Sequence, residues 1–156
     1  MALETTSTLS PETISTLNEL IQMNIDSRDG FRQAAVEIDD LSIASFFDRV
    51  ADDRERQADE LTNFVEYNGE EADRSGSFAA AVHRAWMNIR ESLSANNRYA
   101  VLAEAERGED QIKRAYELAL TENPGSAMQE VLMQHFQQVK AIHDHVRALR
   151  DAHKSD

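Results

Sequence analysis

Apolar residues recur along most of this chain at intervals of three or four positions, the spacing that places them on one face of an α-helix. Short polar segments separate these stretches, and three of the five glycines and both prolines lie in or beside such segments, whereas Gly30 and Gly108 lie within the apolar pattern. No segment shows the alternation that is typical of a half-buried strand. The sequence therefore predicts an all-α protein whose helices cover residues 11–39, 42–67, 77–93, 97–122 and 126–151.

Capping residues support these helix starts. Ser10 precedes Pro11, so it is a candidate N-cap followed by a proline at the first helical position. The other candidate caps are Asp39 or Asp40, Asn96 or Asn97, and Ser126, which could form a capping box with Gln129. We expect residues 1–9 to be a disordered tail and residues 10–153 to be a single domain.

The lengths of the connections predict how the helices are arranged. Short connections join the first two and the last two long helices, which favours two antiparallel hairpins. The segment between the hairpins contains a polar loop and a helix of some 17 residues, which rises about 25 Å. Such a crossover carries the chain along the bundle, so the helices on either side of it run parallel. The prediction is a four-helix bundle with an extra, shorter crossover helix.

Polar residues interrupt the apolar face near the middle of every long helix. A polar group that is buried without a partner costs several kcal/mol, so these side chains should meet one another across the bundle. The interrupting residues are Asn24 and Arg28, Arg54 and Gln57, Glu106 and Glu109, and Lys140 and His143.

Two stretches of the first two helices, residues 30–35 (GFRQAA) and 46–54 (FFDRVADDR), resemble the rubrerythrin side of the ferritin-like superfamily. The chain is more closely similar to a bacterial family of four-helix bundles within that superfamily, a domain of unknown function. The similarity extends from about Ile14 to Leu149. The other matching stretches are residues 83–86 (HRAW), 103–110 (AEAERGED) and 139–144 (VKAIHD). The resemblance implies a ferritin-like four-helix bundle.

The same resemblance implies where a metal pair would lie. Di-iron bundles take one Glu from each of two helices and a Glu-x-x-His from each of the other two. The corresponding positions are Asn24, Arg54 and Gln57, Glu109 (or Glu106 one turn away), and Lys140 and His143. Only Glu109 and His143 keep a ligand type. Because Arg54 and Lys140 replace carboxylates with cations, the resemblance implies a degenerate di-iron site without bound metal.

We expect a buried charge network in place of the metals. In this hypothesis the cations face the two glutamates, and the neutral side chains complete the hydrogen bonds. Its members are Arg28, Arg54, Gln57, Glu106, Glu109, Lys140 and His143, with Asn24 beside them. The favoured function is a non-enzymatic structural or protein-interaction bundle.

Two other functions stay open at this point. A displaced site around Glu106, Glu109, Asp110 and His143 could bind iron, manganese or zinc, as an oxidoreductase or a metal store. Alternatively, the polar centre could bind a small molecule, if it contains a cavity. His135 and His143 alone supply too few ligands for zinc, so we interpret the histidines as ordinary side chains.

Composition narrows the range of partners. The net charge of −13 disfavours nucleic acid and anionic membranes, and no apolar run approaches the ~20 residues that cross a bilayer. The chain has no cysteine and no signal peptide, which favours the cytoplasm. The apolar stripe of the crossover helix around Trp86 is a candidate contact for a second copy or another protein.

Overall fold

The structure, a computed structural model, describes residues 4–74, 80–95, 97–123 and 125–154, with the side chains of the crossover helix described from Met87 onward. These residues form five α-helices and no strand beyond an isolated bridge between Thr5 and Thr8. The helices are α1 (Pro11–Glu37), α2 (Leu41–Tyr67), α3 (Ala80–Ser94), α4 (Arg98–Glu122) and α5 (Gln129–Ala152). Within the described chain, no helix combines the length and hydropathy needed to cross a bilayer.

Side-chain caps define three of the helix starts. Ser10 accepts a hydrogen bond from Thr13 N, and the other two caps are Asp40 and Asn97. The predicted capping box of the last helix is wrong, because α5 begins at Gln129 without a side-chain cap. The hydroxyl of Ser126 instead accepts from Met128 N, within the turn before the helix. The predicted start of α3 at residue 77 lies outside the described residues.

The core consists of two apolar clusters, one toward each end of the bundle. The first cluster includes Leu17, Ile21, Leu61, Tyr116, Leu132 and Val139. The second cluster includes Phe31, Phe47, Val50, Ile89, Leu102 and Val146. Helices α1 and α5 run from the first cluster to the second, whereas α2 and α4 run the opposite way. Helices α2 and α4 are therefore parallel, and α3 packs against α4 and α1 as it connects them.

Buried polar side chains separate the two clusters. We call this set the polar layer: Arg54 and Gln57 on α2, Glu106 and Glu109 on α4, and His143 on α5. On each helix these residues follow one cluster and precede the other, so the layer crosses the bundle near its middle.

Residues 4–9 lie against the bundle through the contacts of Glu4, and residues 1–3 lie outside the described chain. The carboxylate of Glu4 accepts hydrogen bonds from Ser10 N (2.8 Å) and Ala127 N (2.9 Å). It also accepts from the hydroxyls of Thr13 (2.7 Å) and Ser126 (3.0 Å). Glu4 thereby fastens the N-terminal segment to α1 and to the turn before α5.

Glu4→Gln should lower the free energy of unfolding at pH 7 by about 1–2 kcal/mol, after allowance for partial exposure to solvent. Partial burial acts to raise the pKa of Glu4, but the four hydrogen bonds outweigh it and lower that pKa to about 2. The resulting stability is complete above the usual pKa of 4.5 and is lost as the pH falls toward 2. Urea unfolding at pH 7, 4 and 3 should show the difference between variant and wild type shrinking.

Glu19→Gln is the matched control for Glu4, because Glu19 is an exposed glutamate on α1. Its effect should stay within about 0.5 kcal/mol at each pH. A Glu4→Gln effect that is equally small would contradict the fastening role of Glu4.

Candidate functional site

An ion pair between Arg54 and Glu109 lies at the centre of the polar layer. Both side chains have 0% exposure, and the guanidinium Nη2 donates to Glu109 Oε2. The second terminal nitrogen of Arg54 donates to Gln57 Oε1 at 3.0 Å, and Gln57 Nε2 donates to Gln138 Oε1 at 2.8 Å. One continuous set of hydrogen bonds therefore joins α4, α2 and α5.

The charges of this pair depend on each other. Burial raises the pKa of the Glu109 carboxyl above its usual value, and the Arg54 guanidinium opposes that shift. Arginine keeps its proton in proteins, so the pair presents a fixed cation beside the carboxylate. Arg54 Nε and Glu109 Oε1 have no hydrogen-bond partner among the described residues. At the centre of the bundle, the two opposite charges are therefore paired, but one polar atom of each side chain lacks a hydrogen bond.

The other two members of the polar layer form a second cluster, between α4 and α5. Glu106 accepts from Arg147 Nε at 3.3 Å and from Arg150 Nη1. His143 Nε2 lies 2.6 Å from Asp110 Oδ1 and 3.9 Å from Glu106 Oε1. The partners of Glu106 are thus surface arginines of α5, and not the buried Arg54.

Two predicted members of the network lie elsewhere. Lys140 is 56% exposed and pairs with Asp144 at 3.9 Å, so its placement in the buried network was wrong. It follows the buried Val139 by one residue, a rotation of about 100° that turns it toward solvent. Arg28 is only partly buried and pairs with Asp29 at 2.9 Å, which also excludes it from the centre.

Asn24 belongs to a separate chain of hydrogen bonds that crosses all four long helices. Its Nδ2 donates to Tyr116 Oη on α4 at 2.9 Å. Tyr116 Oη lies 3.0 Å from His135 Nδ1 on α5, and His135 Nε2 lies 2.8 Å from Glu60 Oε2 on α2. We call these four residues the tyrosine–histidine relay. It shares no residue with the polar layer, and it includes α1, which contributes no residue to that layer.

This relay was not predicted from the sequence, because Tyr116 follows Ile112 by four positions and so lies on the apolar stripe of α4, where spacing alone does not reveal the role of its hydroxyl. One signal for it was available. His135 follows Leu132 by three positions and precedes Val139 by four, so it occupies a core position of α5. A buried histidine requires hydrogen-bond partners, and Tyr116 is the polar aromatic residue on the facing stripe of α4.

Metal-binding geometry is not found in the described part of the chain. No three or more of its histidine, aspartate and glutamate side chains are grouped so that they could hold a metal ion. His143 and Asp110 come together as the displaced-site hypothesis expects, but Glu109 is directed to Arg54.

A cavity of about 390 Å³ lies at one end of the bundle, away from the polar layer. Ser10, Thr13, Glu122 and Ser126 are among the residues that line it. The sequence leaves open a small-molecule site at the bundle centre. This cavity lies elsewhere, so it neither supports nor contradicts that hypothesis.

Comparison with protein families places the chain in one of them. No curated protein matches the sequence significantly. The model of a family described as "Domain of unknown function (DUF2383)" matches residues 12–122, from the second residue of α1 to the end of α4. Helix α5, with His135 and His143, follows the matched region. Because the match covers more than half of the chain, this protein belongs to that family, a helical domain of unknown function.

Proposed function

We propose that this chain is a non-enzymatic, ferritin-like bundle in which a buried ion pair occupies the place of a di-metal site, and that it has a structural or protein-interaction role. The single observation that carries the proposal is the complete burial of Arg54 against Glu109. The parallel α2 and α4, linked by a crossover helix, support the ferritin-like assignment, because di-metal bundles of that kind have this connectivity.

Electrostatics at the ion pair argues against a metal pair. A dication at this position would meet a fixed guanidinium charge in a region from which water is excluded, where repulsion between like charges is strong. Glu109 already neutralises Arg54, so it is not free to balance the charge of a metal. Gln57, which follows Arg54 by three residues as the histidine of a Glu-x-x-His would, is bonded to Arg54 and Gln138.

The displaced metal site has less support for a related reason. Glu106 is held by two arginines of α5, Arg147 and Arg150. A metal that recruited Glu106 would have to separate it from both cations and would then lie beside them.

Metal analysis tests this proposal directly. Wild-type protein equilibrated separately with Fe²⁺ (under anaerobic conditions), Mn²⁺ and Zn²⁺, and then passed through a desalting column, should retain far less than one metal per chain. The measurement is inductively coupled plasma mass spectrometry. One or more tightly held ions per chain would overturn the proposal.

A variant with restored ligands serves as the positive control. Asn24→Glu, Arg54→Glu and Gln57→His together restore ligand types at three positions of the di-iron pattern, in which Glu109 and His143 are already present. If this variant folds, as judged by circular dichroism, it should retain metal where the wild type does not. If the variant retains metal through the same desalting step, the lack of metal in the wild type reflects the lack of a binding site and not loss of metal during desalting.

The interaction role has its own test. The proposed contact is the crossover helix around Trp86, whose side chain lies outside the described residues. Sedimentation analysis of wild type and Trp86→Ser over a range of protein concentrations would reveal self-association through this helix. A monomer in both cases would exclude a second copy as the partner.

A further inference from the structure

Four polar side chains form the tyrosine–histidine relay, and their geometry determines which atoms carry the protons. Asn24 Nδ2 donates twice, to the carbonyl oxygen of Leu20 at 2.9 Å and to Tyr116 Oη at 2.9 Å. The backbone carbonyl accepts only, so it fixes the orientation of the amide. The opposite orientation would place Asn24 Oδ1 against the carbonyl oxygen of Leu20. Tyr116 must therefore accept a hydrogen bond from Asn24.

The direction of this first bond determines the next two. Because Tyr116 Oη accepts from Asn24, its own hydrogen is available for His135 Nδ1, at 3.0 Å. His135 Nδ1 must then be an acceptor without a proton, and the neutral imidazole carries its hydrogen on Nε2. That hydrogen is donated to Glu60 Oε2 at 2.8 Å. All donations run in one direction, from α1 through α4 and α5 to α2.

We propose that His135 is a proton-sensitive lock of the bundle, which completes the relay across the four long helices only while its ring is neutral with the proton on Nε2. A second proton on Nδ1 makes both ring nitrogens donors. Tyr116 Oη would then receive hydrogen bonds from Asn24 and His135, and its own hydrogen would lose its acceptor. Because Tyr116 has 0% exposure, water cannot replace that acceptor without opening the core.

The charged groups around His135 favour the neutral ring. Burial lowers the pKa of His135 below its usual value, and the hydrogen bond to Glu60 opposes this only in part. Glu60 is 46% exposed, so solvent weakens its attraction for an imidazolium. Arg56 and Arg54 on α2 add repulsion, and the relay partners on α1 and α4 are the uncharged Asn24 and Tyr116.

The sign of the pH effect follows from these contacts. In the unfolded chain His135 regains the ordinary histidine pKa of about 6.5, so the unfolded state binds more protons than the folded state just below that pH. The contribution of the lock is therefore complete above pH 6.5 and is lost as the pH falls. Mild acidification should loosen the bundle around Tyr116 first.

Substitution of Asn24 tests the direction of the relay. Asn24→Asp gives Tyr116 an acceptor on the α1 side, so the tyrosine hydrogen should turn away from His135 and Nδ1 should gain a proton. Long-range ¹H–¹⁵N NMR of the imidazole should show the Nε2–H tautomer in wild type, and a pKa of His135 that is raised in Asn24→Asp. Asn24→Leu, which offers no acceptor, should keep the wild-type tautomer. An Nδ1–H tautomer in wild type, or an unchanged His135 in Asn24→Asp, would overturn the proposal.

Substitution of His135 tests the lock itself, and does so even if Asn24→Asp fails to fold. Glutamine supplies one acceptor and one donor, as the neutral ring does, but it does not titrate. Hydrogen exchange at pH 7 and pH 5.5, corrected for intrinsic rates, should show several-fold loss of protection around Tyr116 in wild type at the lower pH. His135→Gln should show no such loss. Equal losses in both proteins would refute a lock based on His135.

Discussion

Replacing Glu109 with alanine should lower the free energy of unfolding by about 3–5 kcal/mol, because it leaves the Arg54 guanidinium buried without a counter-ion. Both side chains are fully buried, so water cannot reach the stranded charge unless the core opens. For a chain of 156 residues this loss corresponds to a fall in melting temperature of roughly 6–20 °C. Thermal unfolding followed by circular dichroism measures it.

Glu117→Ala is the matched control for Glu109, on the same helix. Glu117 is 48% exposed and pairs with Lys113 at 3.8 Å, one turn away. Its removal should cost less than about 1 kcal/mol, as is usual for exposed ion pairs. If both variants melt within a degree of wild type, the Arg54–Glu109 pair does not form in solution.

Replacing Arg54 and Glu109 together should cost much less stability than removing Glu109 alone. Arg54→Met with Glu109→Leu replaces the pair by apolar side chains of similar size, and such replacements are often neutral or stabilising. We expect the double variant to recover most of the stability that Glu109→Ala loses. A double variant as unstable as Glu109→Ala would show that the network beyond the pair contributes the missing stability.

Phe47→Ala should cost about 3–5 kcal/mol, because it opens a cavity in the second apolar cluster. Phe47 has 0% exposure, and its ring meets that of Phe31 edge-on with centroids 5.2 Å apart. The substitution therefore removes an aromatic contact between α1 and α2 as well as buried area. Urea unfolding with a shared slope for variant and wild type gives the difference in free energy.

Leu41→Ala serves as the control for Phe47. Leu41 is a large apolar residue near the start of the same helix, but it is 85% exposed. Its effect should stay within about 0.5 kcal/mol. Comparable effects of the two substitutions would mean that Phe47 is not packed as the structure shows.

Helix positions were predictable from sequence because local spacing and capping chemistry determine them. Ser10 and Asp40 cap α1 and α2 as the sequence indicates. The polar residues near the middle of α2 and α4 were also predictable, since Arg54 and Glu109 interrupt otherwise apolar stripes. Their partnership required only that two buried opposite charges meet.

Contacts that depend on helix rotation or on distant segments were not predictable in this way. Lys140 and Val139 differ by one position, and only the packing of α5 decides which of them faces inward. Glu4 binds Ser126, which is 122 positions away, and no local pattern indicates that contact. His135 was recognisable as a core residue, but its partner Glu60 lies on the half-exposed flank of α2.

The polar layer also restricts the axial register of α2, α4 and α5, the three helices that carry its residues. If α2 slid along α4 by a single turn, about 5.4 Å, Arg54 would move past Glu109 and into contact with an apolar cluster. In each such misalignment the guanidinium of Arg54 would be buried without a counter-ion, which raises the free energy of the misaligned state. Apolar side chains alone tolerate sliding, because many of their packings are nearly equal in energy. The ion pair between Arg54 and Glu109 therefore favours a single axial alignment of α2 against α4.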